Sequence, residues 1–239
     1  DFGNSAHYQQ PVTKLVGTSI APTVQLAVMS MLIALLIALP IGIISAVKPG
    51  SWLDAIGTTI ALSGVAIPNF LLGILLILLF ALVLRWFPAG GYVPFTDNPV
   101  ESIRLMLLPS FALGTGLAAV LMRQIRSAML EVMNQDYVTT ARSKGLNTRT
   151  VVMRHALMNA LIPVITVVGV QVGRLMGGTV VIETIFSVPG MGKLAVAALF
   201  YRDFPVVQAV VLLMGTAILF SNLITDLLYG VLDPRVRYD

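Results

Sequence analysis

The chain has 239 residues, 57% of them hydrophobic and 11% charged, with a net charge of +4 and a mean hydropathy of +0.90. Soluble globular domains carry about 25% charged residues, so this composition excludes one and implies an all-α polytopic membrane protein. No Cys occurs, which excludes disulfide scaffolds, iron–sulfur clusters and thiol catalysis; the basic excess lies in loops between apolar runs and orients the chain in a bilayer rather than serving nucleic acid.

Residues 15–47, 55–84, 105–122, 155–173 and 204–225 contain no Asp, Glu, Lys or Arg. A spanning helix needs about 17–25 mainly apolar residues, so spans are expected near 20–47, 57–84, 105–122, 161–182 and 206–229, within a single transmembrane domain covering 1–239. The first two runs exceed one bilayer thickness, which tilt or extension beyond the membrane would absorb. Pro40 and Pro68 predict kinks or local breaks. Asn69 follows Pro68 and has the donor to satisfy a carbonyl freed there, which makes the pair a candidate path-facing kink.

Orientation follows from Lys and Arg. With the N-terminal segment outside, Lys48, Arg123, Arg126, Arg142, Lys144, Arg149, Arg154, Arg235 and Arg237 fall inside, against Lys14, Arg85, Arg104, Lys193 and Arg202 outside. Nine against five favours this arrangement, with the C-terminus in the cytoplasm. An outside start at Asp1 leads to the expectation of an upstream span, giving six or more in the whole protein.

The largest polar feature is a cytoplasmic insert over 123–160, most pointedly Asp136–Pro163. Asp136–Lys144 is helix-compatible, Gly145 is a helix stop, and Asn147 or Thr148 can cap a second helix over 149–160. Pro163 then stands near the start of the next span. An amphipathic helix, a glycine bend and a return to the bilayer are expected. From the residues alone the insert is either a basic loop touching anionic lipid or a grip for a soluble partner.

Arg174 lies eleven residues past Pro163, roughly 16 Å into the span at 1.5 Å per residue. Ionisable groups at such depth face a cavity or a partner; Arg174 either pairs within the assembly or lines a path and meets a substrate carboxylate. Gly169, Gly173 and Gly177, with Gly178 following, form a small-x-x-x-small face for close helix approach, within the subunit or at a seam with another. Asp226 sits near the inner end of the last span, within reach of Arg235 or Arg237. Outer segments 86–104 and 183–205 mix Pro and Gly with aromatics and charge.

No chemistry of its own is evident. Gly190-Met191-Gly192-Lys193-Leu194 lacks the full phosphate-loop pattern, with Ser187 and Leu194 at two required positions. His7 and His155 fall on opposite predicted faces and form no metal pair, and no hydrolase or metalloprotease motif occurs.

Thr140-Ala141-Arg142-Ser143-Lys144-Gly145, followed by His155-Ala156-Leu157-x-Asn159-Ala160-Leu161-Ile162-Pro163, resembles the coupling loop of ABC-type importer permeases, and of the dipeptide/oligopeptide permease family in particular. The general motif has Glu-Ala where this chain has Thr139-Thr140, and its proline comes about thirteen residues after the glycine rather than eighteen; both departures are the form of the peptide-permease branch. Asp1-Phe2-Gly3-x-Ser5, Val181-Ile182-Glu183-Thr184-Ile185-Phe186-x-x-Pro189-Gly190-x-Gly192, Asp226-Leu227-Leu228-Tyr229 and Asp233-Pro234-Arg235-x-Arg237-Tyr238 extend the resemblance over nearly the whole chain.

The resemblance implies the type I ABC importer transmembrane fold with six spans, and one permease subunit of a bacterial or archaeal cytoplasmic-membrane importer. Its partners would be a second homologous permease, two ATPase subunits that use ATP and Mg, an extracytoplasmic solute-binding protein and membrane lipid. Tyr137, Thr140, Ala141, Arg142, Lys144 and Gly145 would couple to the ATPase, small Ala and Gly letting the helix enter its cleft; Arg174, Asn69 and Pro68 would line the path. The chain itself would hold no cofactor and no metal and would not be an enzyme. Cargo is expected to be di- or oligopeptides, with nickel chelates or glutathione as alternatives in the same family. A stand-alone secondary transporter or channel would lack an explanation for the coupling loop.

Overall fold

The computed structural model describes residues 2–232, and all of its long elements are helices. In chain order these are α1 (Val12–Val47), α2 (Trp52–Ala66), α3 (Asn69–Leu76), α4 (Pro99–Met133), α5 (Asp136–Ser143), α6 (Thr148–Thr150), α7 (Leu157–Gly178), α8 (Val180–Ile185), α9 (Met191–Phe200) and α10 (Phe204–Leu232). Two wide π-helical stretches are inserted, Ile77–Val83 after α3 and Val151–Ala156 between α6 and α7. Among the described residues, four helical stretches are long and apolar enough to cross a membrane: Val12–Val47, Pro99–Met133, Thr148–Gly177 and Phe204–Leu227. The C-terminal motif Asp233–Tyr238, with Arg235 and Arg237, lies outside the described residues.

The element boundaries depart from the sequence expectation at three places. The span expected over 57–84 is two helices: α2 ends at Ala66 and a new helix starts at Asn69. A proline disfavours the helical region for the residue before it, here Ile67, and Pro68 is extended at φ −59, ψ 135; of the kink or local break that Pro68 predicts, the chain takes the break. Pro40, by contrast, is accommodated inside α1. Finally, Arg123–Met133 belongs to α4, so the polar loop begins eleven residues later than expected; the helix simply continues past its apolar stretch, as a 35-residue element can.

The described residues form two compact units, each contributed by separate stretches of chain: residues 2–33, 67–114 and 172–221 in the first, and 34–66, 115–171 and 222–232 in the second. In the first, Val12, Val16, Met191, Ala198, Val206, Ala209 and Val210 form a core from α1, α9 and α10. The N-terminal turn is clasped onto it. Asp203, fully buried, accepts from the Ser5 hydroxyl and from the N–H groups of Ala6 and His7, at 3.3 and 3.2 Å. His7 stacks on Tyr201 with ring centroids 3.6 Å apart. Phe186, also fully buried, lies against Gly73, and its carbonyl accepts the Gly91 N–H at 2.8 Å. A Cβ on Gly90 would overlap that carbonyl, so a glycine is required for the approach.

In the second unit α2 presents small residues to its neighbours. Gly57 meets Ile41 and Ser45 of α1, and Gly64 meets the Thr115 carbonyl and Ala119 of α4, a face with the spacing close helix packing needs. The start of α2 is fixed by charge. Asp54, 5% exposed, accepts hydrogen bonds from Arg126 Nε and Nη2, both at 2.8 Å, and from the Gly50 N–H at 3.0 Å.

Candidate functional site

α4 ends at Met133, and Gln135 turns extended (φ −77, ψ 149) before α5 begins. α5 is eight residues long, and an isolated helix of that length is not stable in water; packing holds it. Val138 and Ala141 are buried against Val151 of the π stretch, with Val132 and Met133 alongside. Gly145 then closes the helix in the left-handed region at φ +79. The Gly145 N–H bonds the Arg142 carbonyl at 2.9 Å and the Leu146 N–H bonds the Ala141 carbonyl at 3.4 Å, the two bonds of a Schellman C-cap. The next helix is started by Asn147, whose side-chain oxygen accepts the Thr150 N–H at 2.8 Å, leaving the hydroxyl of Thr148 unneeded as a cap.

Five of the six residues expected to contact an ATPase are exposed on this hairpin: Tyr137, Thr140, Arg142, Lys144 and Gly145. Ala141 is not. It is 7% exposed and faces its own chain, so its small size serves the packing of α5 rather than entry into a partner's cleft. Gly145 is the helix stop that the sequence predicts: nothing lies within 4 Å of where its Cβ would be, and the requirement is the positive φ rather than a close approach. Arg149 and Arg154 extend the exposed basic surface.

One side chain ties α5 to the returning helix. The Tyr137 hydroxyl accepts from Asn159 Nδ2 at 2.9 Å and donates to the His155 carbonyl at 3.4 Å, while Asn159 Nδ2 also reaches that carbonyl at 2.9 Å. His155 thus contributes its backbone. The second helix expected over 149–160 does not stop there; it runs through the π stretch into α7 and past Pro163 to Gly178.

Of the path candidates, Pro68 and Asn69 are exposed at the break between α2 and α3. Asn69 opens α3, and the Pro68 carbonyl accepts the Leu72 N–H at 3.1 Å. Arg174 is exposed on α7 and engaged with a neighbouring group. Along the glycine face, a Cβ on Gly169 would overlap the Thr225 hydroxyl, and one on Gly177 would stand 3.7 Å from Ile218 Cδ1, both on α10; Gly173 is buried.

Glu183 was quoted above only as part of a motif, yet it organises the first unit. Fully buried, it accepts from the Thr23 and Thr179 hydroxyls, each at 2.7 Å, and from the Lys193 N–H at 2.8 Å. Thr23 in turn accepts the Met191 N–H at 2.8 Å. Gly190 lies so close to the carboxylate that a Cβ would overlap it, and Gly192 has room for none against Val180. The glycines that superficially suggested a phosphate loop are there to let the chain fold around this acid. The readable signal was a lone Glu in an apolar stretch followed by Gly-x-Gly. Beside Thr23 and Met191 lies an apolar cavity of about 270 Å³, bounded also by Val24, Met214 and Phe220.

Residues 38–238 match the family model described as the binding-protein-dependent transport system inner membrane component. The chain belongs to this family. As a member it is 42% identical to the oligopeptide transport system permease protein AppB of Bacillus subtilis, over the whole of this chain and 76% of the relative. It is 40% identical to the glutathione transport system permease protein GsiC of Salmonella choleraesuis, over the whole of this chain and 75% of that protein. A chain of the MetNI methionine ABC transporter in an inward-facing conformation superposes with a TM-score of 0.74 at 18% identity, covering 93% of this chain and 98% of the other, which shows the shared fold. The protein is therefore a multi-pass permease subunit of an ABC importer, with the type I transmembrane fold expected from the coupling-loop resemblance.

Proposed function

We propose that this permease moves peptides across the cytoplasmic membrane, in a complex with a second permease, two ATPase subunits and an extracytoplasmic solute-binding protein, and that α5 with its Gly145 turn is the contact through which the ATPases drive it. The observation that carries the reading is the hairpin itself: a short helix held by a buried apolar face, with Tyr137, Thr140, Arg142 and Lys144 left outside. A packed lever with cations on its free face suits an acidic cleft on a soluble partner, where Arg and Lys form charge-assisted hydrogen bonds. ATP and Mg act at the ATPase subunits; this chain contributes no catalytic group, cofactor or metal ligand. The N-terminal segment lies outside and the C-terminus in the cytoplasm, in keeping with the Lys and Arg distribution. Pro68, Asn69 and Arg174 are the side chains offered to the path.

The chain has no native cysteine, which makes the test direct. A single Cys at Thr140 or Arg142 is expected to cross-link to the ATPase subunit in the assembled complex, with a yield that changes on ATP binding. Absence of any cross-link at both positions refutes the contact. A second reading of the cargo is glutathione, itself a tripeptide and the solute in the name of one relative; uptake of labelled trialanine with and without excess glutathione separates the two.

A further inference from the structure

α5 and the spanning helix α7 are linked through a turn whose residues Arg142–Arg149 are all exposed and through a small apolar contact of Val138 and Ala141 on Val151. Neither fixes the rotation of one helix against the other. The turn is built on a residue at φ +79 with open space around it, and an apolar contact is non-directional, so it resists separation but not sliding. A lever attached only in this way would roll in place when pushed. Hydrogen bonds, in contrast, weaken steeply when their angles are lost.

We infer that Tyr137, Asn159 and the His155 carbonyl form a latch that locks α5 to the start of α7, so that displacement of α5 moves the spanning helix. The geometry has two parts. The Tyr137 hydroxyl bridges a side chain and a backbone carbonyl four residues apart, Asn159 and His155, and Asn159 closes the triangle by bonding the same carbonyl. That carbonyl belongs to the π stretch Val151–Ala156, where the Leu157 N–H bonds five residues back to Val152. π insertions are rare and recur at functional sites because one turn of backbone is wider and more readily re-registered. The latch grips the segment of the returning helix that is otherwise most able to absorb a push. Tyr137 and Asn159 are both exposed, and a core would not need their polar bridge; its use is directional. Asn159 is thereby a positioning residue for coupling, acting through Tyr137.

The inference rests on the proposed contact between α5 and the ATPase, and the experiment keeps the two apart. A single Cys replaces Val170, an exposed residue of α7, and its maleimide labelling rate is followed in the reconstituted complex with and without ATP plus vanadate. In the parent chain the rate should change severalfold. Tyr137→Phe, which removes only the hydroxyl, and Asn159→Leu should each abolish most of that change; Asn159→Leu, at a residue outside the proposed ATPase contact, should also leave ATP hydrolysis within about twofold and keep the Thr140 cross-link to the ATPase. The double variant should be no worse than either single one, as expected for partners in one interaction, and Asn159→Gln should recover part of the response. A response that persists in both single variants overturns the latch, and so does a parent α7 that ignores ATP. Loss of the cross-link in the parent chain would instead overturn the ATPase contact and the latch with it. Should Tyr137→Phe fail to assemble, the Asn159 pair decides alone: Leu silent and Gln responsive supports the latch, and Leu responsive overturns it.

Discussion

Arg126 holds Asp54 with two nitrogens on two oxygens, Nε to Oδ1 and Nη2 to Oδ2, both at 2.8 Å. The fork pins the first turn of α2 to the late part of α4, 72 residues away in the chain. The carboxylate side chain is 8% exposed and the guanidinium 31%. The Arg126 hydrogen bonds, then the Gly50 N–H, outweigh burial and lower the Asp54 carboxyl from 3.8 to about 2.

Breaking that pair from one side should cost more than removing it. Arg126→Gln leaves a buried carboxylate without its cation; loss of one partner of a buried pair costs about 3–5 kcal/mol, and the partly exposed guanidinium argues for the lower end. The double variant Asp54→Asn/Arg126→Gln should recover a good part of the loss, and thermal unfolding in detergent checks it. The pH dependence has a definite sign. A folded-state carboxyl below its unfolded value stabilises the fold above the unfolded pKa, so the contribution is whole at neutral pH and lost as pH falls from near 3.8 to about 2. The Asp54→Asn chain should lack that step.

Gly145 should tolerate Asn better than Ala. Its φ of +79 costs an L-residue about 1–2 kcal/mol, Asn the least among them, and there is space for any side chain. Gly145→Asn is expected to retain uptake near the parent level. Gly145→Ala should lower it, and Gly145→Asp, which also sets an anion among Arg142 and Lys144, should let ATP hydrolysis continue while uptake fails. Equal uptake by all three variants, measured per ATP hydrolysed, would contradict the hairpin's role.

Closure of the N-terminal clasp can be read by exchange. Burial would raise the Asp203 carboxyl, but the Ser5 hydroxyl and the N–H groups of His7, Ala6 and Val206 together hold it below the usual carboxylate range. Its contribution is therefore present at neutral pH and falls away in acid, below the ordinary carboxylate pKa. Asp203→Asn removes the charge but keeps the shape, and should speed hydrogen exchange at the Ala6 and His7 amides by about tenfold or more, which is the loss of about 1.5 kcal/mol expected for a charge-assisted hydrogen bond. Unchanged protection of both amides would mean that the stacking of His7 on Tyr201 holds the turn unaided.

The sequence disclosed what short-range chemistry decides. The α5 hairpin was legible because Gly145 and Asn147 act within four residues, through a left-handed cap and a side-chain cap. Apolar runs marked four of the five expected spans as long apolar helices, and motifs marked the family. The direction of Ala141 was not legible, since the face of α5 that is buried is chosen by Val151, ten residues on. Nor was the partner of Asp54, nor the donors of Glu183, one of which comes from Thr23, 160 residues away. Helix ends misled for a related reason: charge-free runs show where lipid can be met, whereas α4 continues through Arg123 and Arg126 because Arg126 has a carboxylate to meet.

Gly190 and Glu183 offer a prediction in which two damaging changes partly cancel. Gly190→Ala places a methyl on the carboxylate of Glu183, and overpacking of this kind costs about 1–3 kcal/mol. Glu183→Ala removes the acceptor for Thr23, Thr179 and the Lys193 N–H, leaving buried donors unsatisfied at about 1–3 kcal/mol each. The two act on the same space. With the carboxylate gone, the methyl of Gly190→Ala no longer overlaps it, so the double variant should be destabilised by clearly less than the sum of the singles, with a coupling of about 1 kcal/mol or more. Glu183→Gln is the complementary probe: it keeps the volume but turns one accepting oxygen into a donor, facing a hydroxyl or the Lys193 N–H. It should therefore be destabilised alone and gain nothing from Gly190→Ala. Unfolding midpoints of the parent, the three single variants and the two double variants in one detergent measure both cycles, and strict additivity in the first would show that Gly190 is required for its backbone and not for the carboxylate beside it.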